Sequence, residues 1–265
     1  MQFRTNEKGI YNEINTTVVQ YPDGYQIKRY KGKLKQRQKG WEEVNKHVQN
    51  LEFNEQSKEQ KSRIDNINRT RTQVMNLVRC NLSDWKSFVT LTFADDVTDL
   101  TQANRHFNNW CRAIRRVFPN FKYLGVPELQ KRGVWHYHLF TNLIPGSEFC
   151  PVQKGKKKQY DVKYWNKGFS SVFNLDCTDE NFRADKYICK YMLKDYERAV
   201  LFGRKRVLNS HNLNKPVKWS DDLTDDEYKA LKEQLMDKAK SVKEKTVWSA
   251  NKYCPNFDCV NIITQ

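Results

Sequence analysis

The chain has 265 residues, with 47 Lys and Arg against 31 Asp and Glu, a formal net charge of +16 and a pI near 9.5. That length holds one domain with extensions or two small ones, and no apolar run approaches the ~20 residues needed to span a bilayer. The charge calls for a polyanionic partner, nucleic acid foremost. The opening residues Met1 to Glu7 carry no apolar signal region, which gives the expectation of a cytoplasmic protein with no membrane partner. The seven cysteines are odd in number and contain no Cys-x-x-Cys pair, so reduced thiols are expected. Cys254 and Cys259 are half a zinc site by spacing alone, which is a weak signal.

Taken in order, residues 16–21 and 25–30 flank Pro22-Asp23-Gly24, a strong turn, and predict a hairpin. Residues 41–80 predict basic helix: Ile64, Ile67, Val74, Leu77 and Val78 form a stripe, and Lys61, Arg63 and Arg69 lie on the other face. That basic face suits solvent and phosphate contact equally. Trp85 to Phe93 reads as a strand, with Val89, Leu91 and Phe93 on one face and Phe88, Thr90 and Thr92 on the other. Leu100, Phe107, Trp110, Ile114 and Val117 fall at helical spacing, and Pro119-Asn120 ends that helix. The aromatic stripe is expected to pack on the sheet, with Arg105, Arg112, Arg115 and Arg116 outward.

The centre of the sequence is Trp135-His136-Tyr137-His138-Leu139-Phe140. Its composition favours a strand, so the two imidazoles share a face, roughly 7 Å apart. Upstream, Tyr123 to Gln130 reads as a partner strand and Lys131-Arg132-Gly133 as a three-residue turn, with Gly133 at the left-handed position. That turn pairs Gln130 with Val134, Glu128 with His136 and Val126 with His138. Glu128 then joins both imidazoles on one face as a three-ligand metal candidate. The register is exposed at Pro127, which cannot donate to a ladder; a one-residue slip would send Glu128 to the far face.

Further on, Lys154, Lys156, Lys157, Lys158, Lys163 and Lys167 surround Tyr160, Tyr164 and Trp165. Aromatics among lysines suit single strands, so a flexible basic loop is expected there. Gly168 to Leu175 reads as a strand. Residues 181–198 read as a helix that places Tyr187, Lys190, Tyr191 and Lys194 on one side and Ile188, Met192 and Leu193 on the other. Lysines beside a phenol favour its phenolate and neutralise a phosphate; two half-buried tyrosines with solvated lysines give the same pattern. Residues 203–220 read as a basic loop. Thr224-Asp225-Asp226-Glu227 is a capping box for a helix with Tyr228, Leu231 and Leu235 inward and lysines 238, 240, 243 and 245 towards its C-terminus. No Gly-x-x-x-x-Gly-Lys-Ser/Thr loop is present.

In this order, Phe88-Val89-Thr90-Leu91-Thr92, Glu128 with His136-Tyr137-His138, and Tyr187-x-x-Lys190-Tyr191-x-x-Lys194 resemble the HUH endonuclease superfamily. Tyrosines after the histidines are the order of its rolling-circle replication initiators; conjugative relaxases reverse it. The paired tyrosines look like the two-tyrosine initiators of small phages and related plasmids, as does Trp165-Asn166-Lys167-Gly168-Phe169. The resemblance covers about residues 62–215.

It implies an α+β fold: a central antiparallel sheet of about five strands, the histidines on a middle strand, helices packed against it. It implies that Glu128, His136 and His138 bind Mg²⁺ or Mn²⁺. It further implies that Tyr187 or Tyr191 attacks a phosphodiester of single-stranded origin DNA, leaving a 5′-phosphotyrosine, with Lys190 and Lys194 beside them. A separate host helicase is the expected partner. The expected organisation is a basic N-terminal extension (1–61), an endonuclease domain (62–215) and a C-terminal helical extension (216–265). Competing readings are a two-tyrosine HUH transposase and a non-catalytic nucleic-acid-binding protein. A cupin-type oxygenase is disfavoured, because Asn142 and Leu143 stand where a carboxylate is needed and Gln130 where a glycine is.

Overall fold

The computed structural model describes residues 11–37, 69–153, 159–175, 207–248 and 255–264. The chain divides into two compact units, one formed by Met1–Lys58 with Lys215–Gln265, the other by Glu59–Asn214. The fold class is α+β, with one five-stranded antiparallel sheet in each unit.

In the unit Glu59–Asn214, helix α1 occupies 69–80 of the described residues. It is followed by β3 (Ser87–Leu91), α2 (Leu100–Val117), β4 (Tyr123–Leu129), β5 (Trp135–Thr141), β6 (Ser170–Asn174) and β7 (Leu208–Asn209). Strands β1 (Tyr11–Tyr21) and β2 (Gly24–Arg37) precede these in the chain and belong to the other unit. The sheet order is β6-β3-β5-β4-β7, which makes the histidine strand β5 the middle one. Helix α2 is capped by the Asp99 carboxylate, which accepts from the N–H groups of Thr101 and Gln102. It buries Leu100, Ala103, Phe107, Trp110, Cys111 and Ile114 against one sheet face. Val117, expected inward, is 53% exposed, because it is the last helical residue and the chain turns away at Phe118. The opposite sheet face receives Val74, Leu77 and Val78 of α1 over Phe88, Leu124, Val126 and Phe140. Both faces of β5 are therefore buried along its length.

The other unit is built on the predicted hairpin of β1 and β2, with Tyr21 opposite Gly24 across the turn. Its sheet order is β8-β1-β2-β10-β9, where β8 is Val217–Asp221, β9 Ser241–Val247 and β10 Phe257–Ile263. The capping box opens α3 (Asp225–Met236) as predicted, with both reciprocal bonds made. Tyr228, Leu231 and Leu235 pack on Val18, Ile27, Val260 and Ile262.

Three expectations need correction. Residues 216–265 are not a helical extension alone: three strands join the helix, because Val260 and Ile262 supply alternate apolar positions that β2 needs on its free edge. Lys243 and Lys245 do not extend the helix; α3 ends at Met236 and both lie in β9. The 203–220 segment is not all loop, since β7 and β8 lie in it. The N-terminal part of the expected 41–80 helix and the 181–198 helix lie outside the described residues.

Gly133 has φ +85° and nothing lies within 4 Å of a Cβ built on it. Its replacement by Ala therefore costs conformation and not packing. Gly133→Ala is expected to lower stability by about 1–2 kcal/mol, with Gly133→Asn less damaging, measured by urea denaturation.

Candidate metal centre

The turn residues decide this site. The Gln130 N–H donates to the Val134 carbonyl at 3.0 Å, and the Gly133 N–H donates to the Gln130 carbonyl at 2.9 Å, closing the predicted three-residue loop. From there the register runs Glu128 opposite His136, Pro127 opposite Tyr137 and Val126 opposite His138. Antiparallel pairs alternate between hydrogen-bonded and non-bonded. Since Gln130–Val134 is bonded, so are Glu128–His136 and Val126–His138, while Pro127–Tyr137 is not. The missing donor of Pro127 therefore points to the other edge of β4, where β7 pairs only with Leu124 and Gly125. Proline breaks no ladder bond there, and the register survives.

Glu128, His136 and His138 share the α1 face of the sheet, all buried, at 9%, 7% and 6% exposure. Glu128 Oε2 and His138 Nε2 meet at 2.5 Å. The other nitrogen of His138, Nδ1, lies 3.2 Å from the Thr90 hydroxyl, and Thr90 is its cross-strand partner on β3. Phe88 stacks on the His138 ring at 5.8 Å with planes 14° apart. His136 Nδ1 lies 2.9 Å from the Gln130 amide, and its Nε2 is buried with no hydrogen-bond partner among the described residues. Burial, then the neighbouring His138 and Arg132, push His136 down to about 4, so it is neutral near pH 7 and its ring is a ligand and not a cation. Arg132 sits at the exposed turn, 3.9 Å from Asp96.

Tyr137, between the histidines, points the other way. It stacks on Phe107 at 4.7 Å and donates its hydroxyl proton to Asn104 Oδ1 at 2.8 Å. Burial raises its pKa, so it is a core anchor and not a nucleophile.

No group of three or more His, Cys, Asp or Glu side chains among the described residues is already gathered as a metal centre. The donor set nonetheless fits a divalent cation. It offers two imidazoles and a carboxylate on one face, with the Nε2 of His136 left without a partner among the described residues. The two orienting groups also fit. The Gln130 amide, turned to present its carbonyl, accepts the Nδ1 proton of His136 and leaves the Nε2 lone pair outward. The Thr90 hydroxyl, which both donates and accepts, can hold the Nδ1 proton of His138 when its Nε2 is a ligand. Thr90 and Gln130 were not read as site residues from the sequence. The signal for Gln130 was its bonded pairing with Val134 on the histidine face; for Thr90 nothing identified β5 as the neighbour of β3.

Tyr187, Lys190, Tyr191 and Lys194 lie outside the described residues. The expected flexible basic loop is only partly so. Its lysines 154–158 lie outside the described residues, while Trp165 is buried, donates its indole N–H to the Thr92 carbonyl at 2.9 Å and packs on Phe93 and Trp110. Tyr160 bridges Val152 and Val172 and packs on the core. These two rings serve the core because the segment lies over the α2 side of β6. Of the three aromatics only Tyr164 is exposed.

Residues 86–196 match the family model for the replication-associated protein of the ORF2 type. The match begins beside β3, spans the Glu128–His136–His138 face and ends just beyond Lys194, covering less than half of the chain. Over that span the chain is similar to replication-associated proteins, which supports a Rep-type replication initiator. No curated protein and no solved structure gives a match. Among the described residues no helix is long and apolar enough to cross a membrane.

An unsatisfied buried ring nitrogen costs stability that an apolar ring does not. His136→Phe in the metal-free chain is expected to be unchanged or up to about 2 kcal/mol more stable by calorimetry. A clear loss of stability would make the Gln130 contact a structural one.

Proposed function

We propose that the chain starts rolling-circle replication by nicking and rejoining single-stranded DNA at an origin, with a tyrosine as nucleophile. The observation that carries this reading is the β4–β5 register, which puts Glu128, His136 and His138 on one buried face inside the span that matches replication-associated proteins. A Mg²⁺ or Mn²⁺ ion held there would polarise the scissile phosphate and offset the charge of its transition state. The chain's own residues do the rest. Glu128, His136 and His138 would hold the ion; Thr90 and Gln130 set the imidazole tautomers; Phe88 and the α1 contacts fix the rings in place.

The oxygen of Tyr187 or Tyr191 forms the new bond to phosphorus. The bond from phosphorus to the 3′-oxygen breaks, and that oxygen leaves as a 3′-hydroxyl once protonated. Lys190 and Lys194 favour the attacking phenolate and neutralise the phosphate. One phosphoester replaces another, so the reverse attack rejoins ends and no ATP is consumed. Two tyrosines allow one to hold the first end while the other cuts again. A positive chain supplies affinity for the strand, and a separate host helicase would open the duplex.

With Mn²⁺ the purified chain is expected to cleave a single-stranded oligonucleotide and keep the 5′ end of one product covalently, read on denaturing gels with each end labelled. Tyr187→Phe and Tyr191→Phe each retain cleavage and the double variant has none. His136→Ala loses cleavage by at least about a hundredfold while binding single-stranded DNA within a few-fold of the parent. Cleavage without a protein adduct would exclude the tyrosine.

Thr90→Val and Gln130→Leu remove only the orienting bonds. Each is expected to weaken Mn²⁺ binding about 10- to 100-fold by calorimetry, with the thermal midpoint little changed. Unaltered Mn²⁺ affinity in both would mean that neither contact positions a ligand.

A further inference from the structure

Strand β6 is an edge strand whose two faces are unlike. Towards α2 it buries Ser170 at 1% and Val172 at 4% exposure. On the other face Phe173 is 61% exposed, and Phe169, just before the strand, is 56% exposed. Exposed rings on a sheet edge invite association and are normally avoided.

The register says which face these rings occupy. Phe173 pairs with Phe88 and Ser171 with Thr90, and Thr90 pairs in turn with His138. Phe169 is held opposite Thr92, whose N–H and hydroxyl both donate to its carbonyl, at 2.9 and 2.8 Å. Phe169, Ser171 and Phe173 thus share the face of Glu128, His136 and His138. The two rings stand roughly 13 Å apart along the strand, on either side of the row Ser171–Thr90–His138, and that row puts β6 roughly 10 Å from the imidazole.

The mounting is rigid. A Cβ on Gly168 would lie 2.4 Å from the Thr92 carbonyl oxygen and 2.5 Å from the Ala94 nitrogen, so only glycine lets the 165–169 segment press onto the end of β3. The Ala94 N–H donates to the Lys167 carbonyl at 2.8 Å, and the buried Trp165 anchors the same segment. Nearby, Lys163 and Lys167 are exposed, and Lys163 Nζ lies 5.5 Å above the ring of exposed Tyr164. Rings on a rigid mount with lysines beside them are what a single strand requires: faces for bases and cations for phosphates.

The geometry points to a base-stacking platform on β6: Phe169 and Phe173 hold bases of single-stranded DNA on the two sides of the phosphate that faces Glu128, His136 and His138. This rests on the nicking reading above and adds the residues that position its substrate.

The test is binding of a short mixed-sequence single-stranded oligonucleotide carrying 2-aminopurine, in EDTA so that no cleavage intervenes. Phe169→Ala and Phe173→Ala are each expected to weaken binding roughly 5- to 150-fold and to restore 2-aminopurine fluorescence. Phe173→Trp, which keeps a stacking face, retains both. Photocrosslinking of a 5-iodouracil oligonucleotide, mapped by mass spectrometry, is expected at Phe169 or Phe173. Unchanged affinity and fluorescence in both Ala variants would overturn the platform while leaving nicking intact if cleavage persists. Loss of a dimer in the Ala variants with DNA affinity unchanged would make the rings a contact between copies and overturn it equally. A parent chain that binds no single strand overturns it whatever its cleavage. Binding that depends on both rings in a chain that never cleaves supports the platform and removes the nicking reading instead.

Discussion

Everything at the candidate site depends on one hydrogen-bonded loop. The Gln130–Val134 closure over Lys131-Arg132-Gly133 sets the β4–β5 register, and strands have a side-chain period of two. A slip of one residue would put Glu128 among the aromatics under α2 and leave the imidazoles without a carboxylate. Gly133 at φ +85° makes the three-residue loop accessible without strain. Pro127 is compatible because its missing donor falls at a non-bonded pair, away from the short β7.

Strand β5 then separates two environments within a single stretch of seven residues. Trp135, Tyr137 and Leu139 go into the aromatic core built by Phe107, Trp110 and Phe121. His136, His138 and Phe140 go to the opposite face, where α1 covers only Phe140 and its neighbours. The apolar half holds the strand in place, and the polar half carries buried groups whose burial is costly. Glu128 and His138 offset that cost by pairing, and Gln130 and Thr90 satisfy the outer nitrogens. The ring nitrogen left over among these described groups, Nε2 of His136, is the atom a cation would use.

The same face extends without a break from β4 across β5 and β3 to β6. The carboxylate, the imidazoles, the orienting hydroxyl and the exposed phenylalanines are thus on four adjacent strands of one sheet. A sheet keeps such groups at fixed spacing, which loops do not, and that suits chemistry in which a phosphate must be presented in line. The second sheet is built by both ends of the chain, with β10 inserted between β2 and β9.

Local signals were legible wherever the physics is local. The sequence by itself determined the 22–24 turn, the cap and length of α2, the capping box of α3 and the Lys131–Gly133 turn, because each depends on residues a few positions apart. It also determined that Glu128, His136 and His138 share a face, since turn length and strand period decide that together. Only the tertiary structure decided what depends on distant pairing. The order β6-β3-β5-β4-β7 brings Thr90 beneath His138 and turns Phe169 and Phe173 to the same side. The packing of Trp165 on Phe93 and Trp110 takes it out of a loop that composition alone made basic and open. The joining of Phe257–Ile263 to Gly24–Arg37 makes strands of a tail that has little periodicity of its own. No local propensity carries that information, because an apolar residue reads the same whether its partner is ten residues away or two hundred.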